Sequence, residues 1–262
     1  MSLLGGFGLI EVLTFLLIGA IGGFLAGLIG IAGGVVLIPL LIYLGKTSIE
    51  MATSISIVVI MFVSFSGFLA YRRRGNVHVS TGLWMGVAGV AGALAGSLLS
   101  KIFSVSFFYT FYIGLVAVAA VMLAFPGPEV RAPIREYNLR KLPTALVGLF
   151  KGFVTGVLGV GGNFIILPLM VRVLDMPIHK AVGTSLVCTL FAALAGLAGK
   201  LAIGHFNIYI AVCVVLGAIP ATYGGAWAAH KSSPRSLRLF LLTLLVLILV
   251  RMLWSIVQEG LP

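Results

Sequence analysis

Apolar positions in this chain gather into ten stretches, separated by short segments rich in glycine, proline or charged residues. Most stretches have roughly the 20 residues that a helix needs to cross the hydrocarbon of a bilayer. The second and seventh hold only about 14 residues, or about 21 Å of helix, and each follows a glycine cluster and contains a proline. The pattern predicts an all-α chain with membrane segments near residues 9–29, 31–44, 50–70, 79–99, 103–125, 143–158, 161–174, 181–203, 207–228 and 236–257.

Composition places the chain in the lipid bilayer. Hydrophobic residues make up 61% and charged residues 9% of the 262 positions, whereas a soluble domain carries about 25% charged residues. The net charge of +11 is typical of cytoplasmic loops that obey the positive-inside rule. Because the longest basic run is the arginine triplet at 72–74, no nucleic-acid partner is expected. We therefore predict a polytopic integral membrane protein.

The chain also contains an internal repeat. Residues 23–39 read GFLAGLIGIAGGVVLIP and residues 152–168 read GFVTGVLGVGGNFIILP, so a shift of 129 residues superposes most of their glycines and both prolines. Downstream, Ala-Thr-Ser at 52–54 corresponds to Gly-Thr-Ser at 183–185 after an insertion of two residues. The correspondence extends over about a hundred residues, which indicates a tandem duplication. We predict a first repeat at 9–125, a linker at 126–142 and a second repeat at 143–257.

The distribution of basic residues decides whether the short stretches cross the membrane. If all five stretches of each repeat cross, the repeats are inverted, and one side holds 12 of the 17 Lys and Arg residues against 3 on the other. If the short stretches do not cross, the repeats are parallel and the split is 8 against 7. We therefore predict inverted repeats of five segments each in the inner or plasma membrane, with both termini outside and the linker in the cytoplasm.

The two glycine clusters predict an anion-binding site. Irregular backbone survives inside a membrane only where it lines a cavity or is covered by protein, and by symmetry the clusters are expected to meet near the bilayer midplane. Each precedes a short broken helix, whose free N–H groups and positive dipole end favour a small anion. The alternative is that these glycines only permit close helix packing. The candidate substrate-binding glycines are Gly30, Gly33, Gly34, Gly159, Gly161 and Gly162.

Polar side chains inside the apolar stretches complete the predicted site. Asn163 replaces the glycine at 34 of the first repeat, and Lys151 stands where that repeat has Gly22. An intramembrane lysine is costly and usually functional, although it could instead extend its ammonium to the cytoplasmic interface. The four equivalent hydroxyls could bind the anion or bond to their own helices; they belong to Thr53, Ser54, Thr184 and Ser185.

The residues absent from the stretches narrow the function further. No HExxH or GxSG motif is present and no carboxylate lies in the middle of a stretch, so neither an intramembrane protease nor a buried acidic proton relay is predicted. We expect no catalytic residue, no metal site and no cofactor, and nothing in the sequence indicates an oligomer. The chain is expected to be a transporter rather than an enzyme.

The doubled motif resembles the TauE/SafE family of sulfite and organosulfonate exporters. The resemblance rests on GLIGIAGGVVLIPLLI followed by ATS and on GVLGVGGNFIILPLMV followed by GTS, with RGNVH and IGHFN each preceding a long stretch. It covers residues 10 to 250 and implies transport of small sulfur-containing anions, most simply export of sulfite or a short organosulfonate. Uptake of the same anions and a non-transporting scaffold remain the alternatives. Asn163 and Lys151 depart from the symmetry of the repeat, and either can shift the choice of substrate.

Overall fold

A computed structural model describes residues 8–30, 34–100, 102–125, 141–201 and 207–259. Every regular element in these ranges is an α-helix, which confirms the all-α prediction, and all ten apolar stretches are helical. The helices are α1 (Leu9–Ile29), α2 (Gly34–Tyr43), α3 (Ile49–Arg72), α4 (Val79–Leu99), α5 (Val105–Ala124), α6 (Lys141–Leu158), α7 (Asn163–Val173), α8 (Ile178–Leu201), α9 (Ile208–Lys231) and α10 (Pro234–Glu259).

Eight of these helices are long and apolar enough to cross a membrane, which agrees with a multi-pass membrane protein. The exceptions are α2 and α7, of 10 and 11 residues, with Pro39 and Pro168 inside them. The helix surface supports the same conclusion, since large apolar side chains such as Leu247 and Val250 are 62% and 58% exposed. An aqueous protein rarely exposes apolar surface of this extent. The predicted linker lies outside the described residues except for 141–142, which belong to α6.

Glycines bring two pairs of helices into backbone contact. A Cβ added to any of three α1 glycines would collide with the backbone of α9, and three α6 glycines stand in the same relation to α4. The contacts follow the 129-residue shift: Gly19, Gly23 and Gly27 meet Val214, Ala218 and Thr222, while Gly148, Gly152 and Gly156 meet Met85, Gly89 and Ala93. Because both series ascend together, α1 runs parallel to α9 and α6 runs parallel to α4.

The equivalent helices α3 and α8 run in opposite directions. Tyr71, at the end of α3, contacts Gly183 near the start of α8. Ile57, in the first half of α3, contacts Gly196 near the end of α8. The two helices occupy the same place in their repeats, so these equivalent helices are antiparallel. Their antiparallel contact lies in the centre of the bundle, between the two glycine seams, by which we mean the contact of α1 with α9 and that of α6 with α4.

The short helices return the chain across the bundle. Gly67 contacts Thr222 and Arg74 contacts Ala226, so α3 runs parallel to α9 and therefore to α1. The described residues 34–48, which precede α3, must therefore run back in the opposite direction, and α2 lies in this returning segment. Lys151 contacts Ser185, and further along α6 Gly156 contacts Gly196 further along α8, so α6 and α8 are parallel. The chain between them must also run back, and α7 lies in that returning segment.

Candidate functional site

The helices are interrupted between α1 and α2 (the first break) and between α6 and α7, at residues 159–162 (the second break). Residues at the two breaks lie against each other. A Cβ added at Gly34, the first residue of α2, would stand 2.5 Å from the Cα of Val160 in the second break. The side-chain amide of Asn163, the first residue of α7, donates to the carbonyl of Gly30 in the first break. These contacts join residues that are more than a hundred positions apart, and they place the starts of both short helices at the interface of the repeats.

Left-handed backbone accounts for the glycines of the second break. Gly159, Gly161 and Gly162 have φ of +69°, +74° and +63°, a region that costs a residue with a Cβ about 1–2 kcal/mol. Gly30 has the equivalent conformation to Gly159, with φ of +70°. The free carbonyl that this conformation leaves at Gly159 accepts a 2.7 Å hydrogen bond from the Ser56 hydroxyl. A helix of the first repeat thus holds the break of the second.

Lys151 is fully buried beside the second break. Its side chain has no exposed area, and it leaves α6 towards α8 in the interior of the bundle. The ammonium Nζ donates at 2.6 Å to the carbonyl of Ser185 and at 2.6 Å to the hydroxyl of Thr189. The position of Gly162 is close to this side chain, because a Cβ there would lie 3.6 Å from Lys151 Cγ.

Thr189 connects the lysine to the interface of the repeats. Its hydroxyl lies 3.0 Å from the Asn163 amide oxygen and 2.7 Å from the Ser185 carbonyl, so one proton serves two acceptors while the oxygen accepts from Lys151. Asn163 continues the chain of bonds to Gly30. We call these groups the Lys151 network; it comprises the side chains of Lys151, Thr189 and Asn163 and the carbonyls of Ser185 and Gly30. Its three side chains are all 0% exposed.

The Lys151 network lacks a negative charge among the residues that the structure describes. A protonated lysine has three N–H donors, and the two acceptors of Lys151 are both neutral oxygens. The four acidic residues in the described ranges lie in first helical turns, in a turn or at a helix end: Glu11, Glu50, Asp175 and Glu259. Burial of an unpaired ammonium is costly, so a small anion beside Nζ would supply both the missing charge and the third acceptor.

The first repeat has no equivalent of this network. A Cβ at Gly22, the counterpart of Lys151, would collide with the side chain of Leu37, which is fully buried. Gly34 takes the place of Asn163, and Val58 takes the place of Thr189. The polar centre therefore belongs to the second repeat, and the first repeat contributes backbone to it through Gly30.

The predicted hydroxyls bond within the protein. Thr53 and Ser54 both donate to the carbonyl of Glu50 in their own helix, and Ser185 donates in the same way to Val182. Thr184 accepts from the backbone N–H of His78 at the start of α4. In this conformation three of the four hydroxyls bond to their own helices and Thr184 joins α8 to the start of α4, and only the carbonyl of Ser185 reaches Lys151.

The predicted site differs from the described one at two further positions. Gly33 lies outside the described residues. Thr189 is missing from the predicted set, although its place one helical turn after Ser185 puts it on the same face of α8. Within the ranges that the structure describes, no group of three or more His, Cys, Asp or Glu side chains could hold a metal ion.

Comparison with known proteins points to membrane transport. The profile of the family described as "Sulfite exporter TauE/SafE" matches residues 15–252. The probable membrane transporter protein YunE of Bacillus subtilis is 26% identical over 254 residues, which cover 88% of this chain and 93% of that protein. The probable membrane transporter protein MJ0441 of Methanocaldococcus jannaschii is 24% identical over 245 residues, covering 88% and 91%. No solved structure matches this chain.

Proposed function

The chain belongs to the TauE/SafE family of membrane transporters, and from that premise we propose that it exports a small sulfur-containing anion, sulfite or a short organosulfonate, across the inner or plasma membrane. The observation that carries the proposal is Lys151, a fully buried cation whose partners in the described residues are neutral. It lies where two broken helices meet. A small oxyanion has the charge and the acceptor oxygens that this place lacks.

We propose inverted repeats as the architecture of transport, with ten crossings, both termini outside and the linker in the cytoplasm. The antiparallel contact of α3 with α8 supports this arrangement, because equivalent helices then cross the membrane in opposite senses. The returning segments around α2 and α7 support ten crossings rather than eight. The excess of arginine and lysine on one side supports the proposed orientation.

The substrate site that we propose comprises Lys151, Asn163 and the backbone of the second break, Gly159 to Gly162. In this structure the donors of Asn163 and Lys151 bond to protein carbonyls and to Thr189. An anion binds by taking over some of these donors and the first N–H groups of α7. Since Asn163 bonds to Gly30 of the other repeat, the exchange also releases a contact between the repeats, which couples binding to their relative movement.

The test is sulfite efflux from proteoliposomes, with Lys151→Met as the critical variant. Methionine is an unbranched side chain only one atom shorter than lysine and carries no charge, so we expect efflux to fall at least tenfold while the protein remains folded. Lys231→Met is the matched control, because Lys231 is exposed at the end of α9; it should retain efflux within about twofold.

The remaining outcomes separate the alternative functions. Accumulation of labelled sulfite or thiosulfate in cells, with no efflux from liposomes, would indicate uptake. No flux of any sulfur oxyanion in either direction would favour a scaffold. Unchanged efflux by Lys151→Met would show that the lysine is not part of the substrate site, although the protein would still be a transporter.

A further inference from the structure

One side of α3 packs inside the bundle and the other side is exposed. On the packed side, Gly67 faces Leu186 of α8 and Thr222 of α9. The opposite side carries large apolar side chains and ends in two basic ones, at the spacings of three and four that place residues on one face of a helix. We call it the outer face of α3; it comprises Phe62, Phe65, Leu69, Arg72 and Arg73.

The outer face of α3 has the length of one membrane leaflet. Phe62 and Phe65 are 40% and 50% exposed, and both lie in a helix that is apolar and long enough to span a membrane. Phe62 and Arg72 are ten residues apart, which is about 15 Å of helix, whereas the hydrocarbon core of a bilayer is about 30 Å thick. With the arginines at the level of the headgroups, the apolar part of the face therefore reaches the middle of the bilayer.

The three arginines that end α3 have different surroundings. Arg74 donates at 2.8 Å to the carbonyl of Ala226 in α9, so it joins two helices. The guanidinium carbon of Arg72 lies 5.6 Å from the centre of the Phe68 ring, a contact that positions the cation without using its N–H donors. Arg73 is exposed at the end of the helix. Arg72 and Arg73 thus present guanidinium groups, which bind phosphate oxygens in pairs, directly beside an apolar surface.

We propose that the outer face of α3 binds an anionic phospholipid, with the phosphate at Arg72 and Arg73 and an acyl chain against Phe62 and Phe65. In the proposed orientation of the chain, this lipid belongs to the cytoplasmic leaflet. It is a component of the bilayer and not the transported solute, and its site is separate from the Lys151 network.

Charge distinguishes the lipid from other partners that this face could meet. A second copy related by a two-fold axis along the membrane normal would bring its own Arg72 and Arg73 to the same level, and like charges would oppose the contact. The segment 126–140 has three arginines and two glutamates, so it supplies no net negative charge. A soluble anion would leave the phenylalanine rings uncovered, whereas a phospholipid provides both a phosphate and a hydrocarbon chain.

A tryptophan placed in the outer face of α3 reports which lipids lie beside it. The reporter is Phe65→Trp, in a background where the three native tryptophans, all exposed, are replaced: Trp84→Phe, Trp227→Phe and Trp254→Phe. Fluorescence is measured in phosphatidylcholine nanodiscs that contain increasing fractions of either brominated phosphatidylglycerol or brominated phosphatidylcholine, because bromine quenches a tryptophan that it contacts.

The preference for phosphatidylglycerol is the quantity that decides. A basic residue near the membrane surface favours an anionic lipid by about fivefold, or about 1 kcal/mol, so we expect brominated phosphatidylglycerol to be preferred at least fivefold over brominated phosphatidylcholine. Equal quenching by the two lipids would indicate ordinary contact with the bilayer and would overturn the proposal. Weak quenching by both would mean that protein covers this face, which would overturn it too.

Variants locate the preference on α3. Arg72→Gln combined with Arg73→Gln should bring it close to one, because the rings remain and the charge is lost. Arg73→Gln alone should lower it about two- to fivefold, which provides a second measurement if the double variant does not fold. The matched control is Lys141→Gln combined with Arg235→Gln, which removes the same charge from exposed positions at the starts of α6 and α10, at the same end of the bundle. The control should keep the preference, and an equal loss in both pairs would overturn a site on α3.

Soluble glycerol phosphate separates a lipid from a free anion. In millimolar excess it should leave the preference unchanged, because it has the phosphate but no acyl chain to lie against the rings. Complete displacement of phosphatidylglycerol would show a site for soluble anions and overturn the assignment to a lipid. Both leaflets of a nanodisc have the same composition and no solute is transported, so failure of these measurements would leave the proposed function standing.

Discussion

At the scale of single residues, the second repeat concentrates polar chemistry that the first repeat lacks. Lys151, Thr189 and Asn163 are linked by hydrogen bonds, and all three are fully buried. Each side chain is hydrogen-bonded to another member of the network or to a backbone carbonyl. The network therefore holds its geometry without a carboxylate from the described residues. Thr189 is its centre, because it contacts both Lys151 and Asn163.

Replacement of Thr189 by valine tests that central position. Thr189→Val keeps the shape of the side chain but leaves Asn163 Oδ1 without its donor and Lys151 with one acceptor. Unsatisfied buried groups cost about 1–3 kcal/mol, so we expect a lower thermal midpoint in detergent and slower sulfite efflux. Thr155→Val is the control, since the Thr155 hydroxyl bonds only along its own helix to the Lys151 carbonyl. Equal midpoints for the two variants would contradict a central role for Thr189.

The sequence permits Lys151 and Asn163 to be predicted because both interrupt the symmetry of the repeat. Thr189 interrupts it too, opposite Val58, but a threonine in a membrane helix is commonly bonded to its own backbone. Its second role depends on how α6 lies against α8. The sequence alone does not give the distance between these two helices, so the contact of Thr189 with Lys151 could not be predicted from it.

At the scale of helices, hydropathy along the sequence predicts the ten helical stretches but does not predict which helices contact each other through the glycine seams. The predicted and observed bounds agree closely because helices begin directly after N-capping residues, such as Ser48 before α3 and Ser104 before α5. The glycines of α1 and α6 are visible in the sequence as part of the repeat. Which helix each would face is a tertiary fact, and the structure assigns α9 and α4.

The seams predict an uneven tolerance to alanine. Gly23→Ala places a methyl group against the backbone of Ala218, where no side-chain rotation can relieve the collision, so we expect a clear loss of folded protein. Gly224→Ala in α9 should be tolerated, because its nearest neighbour, a Phe24 ring atom, is 3.9 Å away. Size-exclusion profiles and thermal midpoints after purification measure the difference. Normal folding of Gly23→Ala would mean that α1 and α9 are farther apart than described.

At the scale of the whole molecule, the duplication extends to backbone detail. Lys46 and Asp175 are 129 residues apart, follow α2 and α7 respectively, and share a φ of +50°. Two non-glycine residues with the same unusual conformation indicate equivalent turns. The repeat was predicted from sequence because glycine and proline positions survive divergence. The head-to-tail contact of α3 with α8 could only be inferred indirectly, from charge.

This pair of turns offers a direct test of inverted topology. Cysteines introduced at Lys46 and Asp175, which are both exposed, should label from opposite sides in a background without Cys188 and Cys213. Inverted repeats place Lys46→Cys outside and Asp175→Cys in the cytoplasm. Parallel repeats would place both on one side. Maleimide labelling of intact cells before and after permeabilisation distinguishes these outcomes, and a common side for both cysteines would refute the inverted arrangement.

The last prediction concerns the driving force, and it follows from the charge inside the molecule as a whole. Moving one elementary charge through a membrane potential is worth about 2.3 kcal/mol per 100 mV. Cells are negative inside, so a departing anion moves downhill without a coupled proton, and the described acids all lie at helix ends or in turns rather than at a midpoint. We therefore expect an imposed inside-negative potential to speed sulfite efflux from proteoliposomes at constant pH. Efflux that ignores the potential but responds to a pH gradient would show that protons accompany the anion, because a proton would cancel the charge on which the potential acts.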